Sequence, residues 1–572
     1  VDLKHLRLRP ELAPTARVVG ERATHGDDEI GFLEVLEAHF GREATRDAEA
    51  VRIVVEEPAG RKRGRQKAAS LRRERAARVQ VRLEPHQPDV GLAEQRRRLA
   101  HCDRRLPERL QHPAKPFHSP RGPGERSNRV AADKIQEQRM KWLADTPGVK
   151  AVTVLFTDLE GRLHMLDYDK KFLLKSADNL TFDGSSIRGF TAQSESDLRL
   201  GIDWSAFYWV PSDFFGPGKV LVFGEVLEKD GSPYAADMRS VLKGYTTDLF
   251  KREKYTLNVA NEIEGFLFMG TNAEQAYAET GRFEMTNKGG YYHSLPGDPL
   301  RSFIDASAEV QRALGFANEK DHPEVAPSQF EINYGYAEAT IAADQIQLYK
   351  LLCRQVAYKM GMTASFLPKP LTGVNGSGMH TNMSVSKGDK NLFWEPNGKD
   401  KISDMGWGFV NRILAHAKDL CLVLNSSVNS YRRLDPHFEA PNEIKSSPVD
   451  RGSMVRIPIG NSRSARIEVR SVAPDANPYM TIFSLFKTGL ESDLPAKLRQ
   501  GDILPDNIYD GIALFQKSKY SSGLFGADVA ERFAALKQAS ADRCARRLGT
   551  IVKVPEIQFH HEVYNQYLWN QF

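Results

Sequence analysis

The stretch NEIEGFLF, residues 261–268, sets two glutamates one residue apart inside an otherwise apolar run. Val259, Ile263, Phe266, Leu267 and Phe268 suit a strand buried in a sheet. Side chains at i and i+2 of a strand share a face, so Glu262 and Glu264 form a paired acidic patch there. Burying carboxylates without partners carries a penalty of several kcal/mol. The fold must therefore either supply a cation for the pair or leave this strand at a sheet edge with both carboxylates in water.

Composition narrows the setting. The chain has 572 residues, 41% hydrophobic and 27% charged, which is ordinary for a globular protein of two or more domains. No apolar run approaches the roughly 20 residues that span a bilayer, and the N-terminus VDLKHLRLRPELAP lacks the apolar core of a secretory signal. Cys102, Cys353, Cys421 and Cys544 are far apart and show no CxxC spacing, which suits a reducing cytoplasm.

The net charge of +5 is unevenly spread. Residues 1–140 carry 30 Lys+Arg against 22 Asp+Glu, and the remainder carries 49 against 52. Neither Met, Tyr nor Trp occurs before Met140, and GRKRGRQKAASLRRERAARVQVR is a charge run. Residues 1–128 are thus expected to be an Arg-rich appendage, disordered or not native, even translated upstream DNA. A nucleic-acid-binding arm is the competing reading, but no aromatic interleaving or known module supports it.

From about residue 130 the pattern is regular. AADKIQEQRMKWLAD predicts a helix, and KAVTVLFTDLEGRLHMLDY two strands about a turn at Glu160–Gly161. A boundary falls near 235, which divides a 129–235 domain from a 236–572 domain. Beyond it, strands TLNVANEIEGFLF, SQFEINYGYA, MHTNMSVS and ARIEVRSVA alternate with helices over 301–315, 340–361 and 404–424. This is an α+β pattern with much antiparallel pairing.

Acidic and histidine residues recur along these strands. HPEVAPSQFEINYG offers Glu324 and Glu331, NGSGMHTN holds His380 behind a glycine-rich turn, and SARIEVRSV places Glu468 between Arg466 and Arg470. Five glutamates and one histidine can build two oxygen-rich sites, which suit Mg²⁺ or Mn²⁺. Solvated strand ends and a turn histidine are the bland alternative. Arg433, Arg451, Arg456, Arg466 and Arg470 form a second group suited to carboxylate or phosphate, or to a surface ion-pair network.

FDGSSIRGF, NEIEGFLF, HPEVAPSQFEI, NGSGMHTN, NSYRRLDPHFEAP, RIPIG and ARIEVRSVAPDANPY stand in the order found in class I glutamine synthetases, which the chain resembles from about residue 135 onward. The resemblance implies a small β-grasp-like N-terminal domain and a large catalytic domain with a curved antiparallel sheet and flanking helices. It implies a cytoplasmic dodecamer of two hexameric rings with active sites between subunits. Substrates would be ATP, L-glutamate and ammonium.

Residue by residue, the resemblance gives Glu264, Glu324 and Glu331 to one metal and Glu262, His380 and Glu468 to the other. Asn375, Gly376, Arg433 and Arg470 correspond to glutamate-binding residues. Arg456, Arg466, Asn382 and Ser384 correspond to ATP-binding residues, and Arg451 faces the transferred phosphoryl. Asp183 and Ser186 match the neighbour-donated edge of the ammonium site, and Glu439 a closing flap. NEIE and DRGSM depart from the common pattern. Tyr509 is the nearest counterpart of a regulatory tyrosine, and EVYNQYLWNQF resembles a tail that reaches the opposite ring. A γ-glutamyl ligase acting on an organic amine such as a polyamine is the alternative activity, and a ring-forming relative without catalysis is a third.

Overall fold

The computed structural model describes residues 125–293, 295–494 and 501–542, together with residues 17–19 and 78–80. Strands β1 (Arg17–Val19) and β2 (Arg78–Gln80) pair antiparallel within a unit of their own, Val1–Pro113. The other expectations for residues 1–124 lie outside the described residues, as does the tail EVYNQYLWNQF. Among the described residues, no helix is long and apolar enough to cross a membrane.

The described part of the second unit, Ala114–Phe572, starts with the helix Glu125–Asp145 and a five-stranded sheet. Its strands are β3 (Ala151–Thr157), β4 (Leu163–Asp169), β5 (Leu180–Asp183), β6 (Asp197–Trp209) and β7 (Lys219–Leu227), in the order β4-β3-β7-β6-β5. β3 and β7 run parallel, and the other neighbours antiparallel. The expected turn between β3 and β4 holds Gly161 at φ 88°, and a Cβ there would lie 2.6 Å from the Asn477 Cα. Only glycine satisfies both demands, so this turn seats the small sheet against the segment that starts the helix Pro478–Glu491.

The larger sheet has eleven strands built around the fifteen-residue β8 (Tyr255–Met269). In chain order follow β9 (Asn318–Pro323), β10 (Gln329–Tyr334), β11 (Ala337–Glu338), β12 (Met362–Ser365), β13 (Met379–Lys387), β14 (Lys390–Asn391), β15 (Glu443–Ser447), β16 (Ser453–Arg456), β17 (Ile467–Val469) and β18 (Asp502–Ile503). The main path is β18-β15-β16-β17-β13-β8-β10-β9, and β15–β16 is its parallel pair. β8 is therefore central, which removes the edge-strand account of its glutamates.

Period 2 works on β8 as expected. Ile263 is fully buried, and its carbonyl accepts a hydrogen bond from the Tyr349 hydroxyl of the helix Ala339–Lys359 at 3.0 Å. Two positions beyond Glu264, Phe266 and Phe268 stack, and Phe268 stacks in turn on Phe283 with centroids 4.1 Å apart. The helices expected over 301–315 and 340–361 are Pro299–Ala313 and Ala339–Lys359. That expected over 404–424 is two helices, Asp404–Ala415 and Ala417–Leu424. His416 interrupts them at φ −101°, ψ 13°, with its ring stacked on Tyr520 and hydrogen-bonded to Asp419 at 2.8 Å. ARIEVRSVA keeps only three strand residues, Ile467–Val469.

Candidate active site

Sheet register assembles the site. His380 on β13 stands opposite Glu262 on β8, and Asn382 opposite Glu468 on β17. On the other flank of β8, Glu264 stands opposite Glu331, which stands opposite His322 on β9. Directly opposed residues share a face, so one sheet face carries the whole row.

Two compact groups result. Glu262, His380 and Glu468 offer ligand atoms within 4.8 Å of one another, as do His322, Glu324 and Glu331. His380 Nδ1 lies 3.5 Å from Glu262 and 3.8 Å from Glu468. His322 Nδ1 is 3.6 Å from Glu324, and its Nε2 3.5 Å from Glu331. His380 Nδ1 and His322 Nε2 are buried without a hydrogen-bond partner. A dry, unpartnered imidazole nitrogen facing carboxylates costs stability unless something else binds it. A divalent cation fits this donor set, and the oxygen majority suits Mg²⁺ or Mn²⁺.

The charges tell the same story. Burial, then Glu264 and Glu331, pushes the Glu324 carboxyl up to about 9. Burial also raises Glu264 against the opposing pull of His380 and Arg433. Glu262 is half-buried; the desolvation there is outweighed by His380, Lys320 and Asn382, which hold its carboxyl at about 2.

Glu264, expected with Glu324 and Glu331, stands opposite Glu331 and close enough to Glu324 to raise its carboxyl. His322 also joins this group. Glu264 accepts hydrogen bonds from the Gly378 amide at 2.8 Å and from Gln329 Nε2 at 3.3 Å, with His380 Nε2 at 3.9 Å. It sits between the two groups. His322, Gln329 and Asn333, which donates to Glu331 at 2.6 Å, join the site only through the fold.

The arginines lie beside the first group. Glu468, 1% exposed, accepts from Arg456 Nη1 and Arg470 Nη1, both at 2.6 Å. Arg466 Nε donates to Asn382 at 2.9 Å, and Asn382 Nδ2 donates to Glu262 at 3.2 Å. Ser384 continues the His380–Asn382 face of β13. Arg433 Nη2 donates to the Arg470 carbonyl at 2.9 Å, while its Nη1 is buried and unpartnered. Burial lowers the Arg433 guanidinium to about 10. At Gly378 a Cβ would stand 2.5 Å from Arg433 Nη2 and 2.7 Å from His380 Nε2, so the glycine lets both approach the backbone. Gly376 is constrained likewise, with the Pro368 carbonyl 2.4 Å from where its Cβ would be.

Asn375 Nδ2 donates to Glu439 at 3.2 Å, and Glu439 itself is in the left-handed region at φ 58°. Arg451 is exposed, and its carbonyl accepts from Arg470 Nε at 3.0 Å. Asp183 and Ser186 are exposed at the end of β5, where Asp183 accepts from the Ser185 amide at 2.9 Å and the Ser186 hydroxyl at 2.7 Å. The Ser185 hydroxyl also donates to it at 2.6 Å, and together with these bonds it lowers the Asp183 carboxyl. Its hydrogen bonds stay within its own turn, apart from the row on the larger sheet. The Tyr509 hydroxyl donates to the Ala541 carbonyl at 2.8 Å.

Comparison with known proteins gives this arrangement a lineage. Residues 235–551 match the family model "Glutamine synthetase, catalytic domain", and residues 148–229 match "Glutamine synthetase, beta-Grasp domain". A glutamine synthetase of Staphylococcus epidermidis is 38% identical over 375 residues, 64% of this chain and 81% of that protein. One from Clostridium saccharobutylicum is 34% identical over 419 residues, 69% of this chain and 92% of its own length. The solved glutamine synthetase of Plasmodium falciparum shares the fold with a TM-score of 0.65 at 19% identity, covering 74% of this chain and 98% of that one. The five-stranded sheet is thus a β-grasp domain ahead of a catalytic domain, and the chain belongs to the glutamine synthetase family of ligases.

Proposed function

We propose that the chain joins ammonia to the γ-carboxylate of L-glutamate with ATP, through γ-glutamyl phosphate, giving glutamine, ADP and phosphate. One observation carries the reading: two dry imidazole–carboxylate groups share a sheet face with arginines at its side. Glu262, His380 and Glu468 would hold one divalent ion. Glu264, Glu324 and Glu331 would hold the other, with His322 beside them. When bound, Mg²⁺ or Mn²⁺ supplies Lewis acidity and neutralises phosphate charge.

The protein's own groups do the rest. The unpartnered Arg433 Nη1 is free to take a substrate carboxylate, with Asn375, Gly376 and Arg470 framing the glutamate. Arg456, Arg466, Asn382 and Ser384 line the ATP side. Arg451 offsets charge on the moving phosphoryl. Ammonium must lose a proton before attack, and the carboxylate of Asp183, lent with Ser186 by a neighbouring subunit, attracts the cation and is placed to receive that proton. Glu439 closes over the acyl phosphate and excludes water. The assembly proposed is a cytoplasmic dodecamer of two hexameric rings.

The test measures phosphate release with glutamate plus ammonium, then with glutamate plus a polyamine or ethanolamine. Turnover with ammonium is expected. Release with an organic amine but not with ammonium overturns the reading in favour of a γ-glutamyl-amine ligase. Glu262→Ala is expected to remain folded and lose metal-dependent turnover; unchanged turnover refutes its ligand role.

A further inference from the structure

Two loops meet beside Arg433. One runs from Pro368 to Gly378 and carries Asn375 and Gly376. The other contains the turn Pro436–Phe438, capped by Asp435, followed by Glu439. Besides the Asn375–Glu439 hydrogen bond, a side chain outside the proposed chemistry ties them together: Lys369, only 6% exposed.

Its backbone is clamped on both sides by Asn429. The Lys369 amide donates to Asn429 Oδ1 at 2.6 Å, and Asn429 Nδ2 donates to the Lys369 carbonyl at 2.9 Å. The aliphatic stem passes beneath Gly376, with Cδ 3.3 Å from where a Cβ would stand. The ammonium donates to the Val374 carbonyl and sits 3.9 Å from the centre of the Phe438 ring. Asp435 is the nearby opposing charge, while burial and the neighbouring Arg432 and Arg433 pull the amine down to about 8.

Burying a lysine amine here is costly, and the peptide clamp to Asn429 does not require it. A methionine would fill the stem's path. What the ammonium adds is a fixed donor to one loop and a cation over a ring of the other.

We infer that Lys369 is a positioning residue for the flap: it links the Val374 carbonyl of the substrate loop to the Phe438 ring and so sets where the Glu439 carboxylate rests. The inference builds on the proposed role of Glu439. When substrate engages the Asn375 amide, the Asn375–Glu439 bond is given up and the Lys369–Phe438 tie remains to hold the closed flap in register.

A loosened flap admits water to the acyl phosphate. Water then attacks the acyl carbon in place of ammonia, phosphate leaves and glutamate is regenerated, so that ATP and water become ADP and phosphate with no glutamine. The experiment compares phosphate released with glutamine formed, using the full chain with saturating glutamate and ammonium. For Lys369→Met the expected result is phosphate in excess of glutamine and glutamine kcat lower by about 10-fold, the size of a partly buried cation–π contact. The KM for ATP should be unchanged. Lys369→Arg is expected to restore coupling, because a guanidinium also stacks on an aromatic ring. Phe438→Leu should reproduce the leak without adding to Lys369→Met in the double variant.

One phosphate per glutamine in both Lys369→Met and Phe438→Leu overturns the inference, whatever their rates. If Lys369→Met does not fold, Phe438→Leu decides alone. Failure of the wild-type chain to make glutamine would count against the proposed function instead, and is read in the same assay.

Discussion

At the residue scale, Glu468 has the most to hold. Its buried carboxylate anchors Arg456 and Arg470 and also faces His380. Glu468→Gln removes the charge and leaves two guanidinium groups beside each other without their anion. The expected cost is about 3 kcal/mol of folding stability, read from the urea midpoint. Mn²⁺ affinity should fall by more than the roughly 10–100-fold typical of outer-shell partners, read by direct titration. Unchanged Mn²⁺ binding would remove Glu468 from the ligand set. The contrast with His322 marks what residue order reveals. Glu262, Glu264, His380 and Glu468 stand in motifs whose polar residues interrupt apolar strands and so announce themselves. His322 lies at the end of a strand with polar and charged neighbours, NEKDHP, where one more polar side chain carries no signal. Only its register opposite Glu331 gives it a place.

At the element scale, buried cations tie the β-grasp sheet to the catalytic domain: Lys537 pairs with Glu160 at 2.8 Å, and Arg239 joins more elements. Arg239, at the start of the helix Met238–Glu253, donates to Asp203 of β6 at 2.9 Å and to Asp344 of the helix Ala339–Lys359 at 2.7 Å. Tyr479 donates to Asp344 at 2.8 Å, which adds a third element. Burial raises the Asp344 carboxyl beyond what its partners offset. Asp203 is also buried, but Arg239 and Lys243 together draw its carboxyl well below the usual 3.8. A carboxyl lowered on folding gives stability that is complete above its unfolded pKa and is lost as the pH falls below it. The wild-type unfolding midpoint should therefore drop steeply below about pH 4, and that of Asp203→Asn less steeply. Parallel curves between pH 6 and pH 3 would exclude this contribution. Helix periodicity located the helices Pro299–Ala313 and Ala339–Lys359 to within a turn but ran through His416. The break there depends on a stack with Tyr520, which lies more than a hundred positions away and has no local trace.

At the scale of the whole molecule, Asp183 stands exposed on the small sheet while the ligand row lies on the larger one. If neighbouring subunits complete each other's sites, two inactive variants can rescue one another. Co-assembled Asp183→Asn and Glu262→Ala subunits are expected to regain roughly a quarter of wild-type turnover by random assortment in a closed ring. No recovery in a verified mixed assembly would place the whole site within one chain. By itself, the sequence determined that β8 presents Glu262 and Glu264 on one face and Ile263 on the other, because that alternation is built into any strand. It also determined the motifs by which the family is recognised. The tertiary structure alone decided which residues meet those glutamates: His380 opposite Glu262, Glu331 opposite Glu264, and His322 beyond. Partners such as Asn261 and Thr381 are 120 residues apart, so sheet order and register arise from long-range pairing and burial that no local pattern encodes.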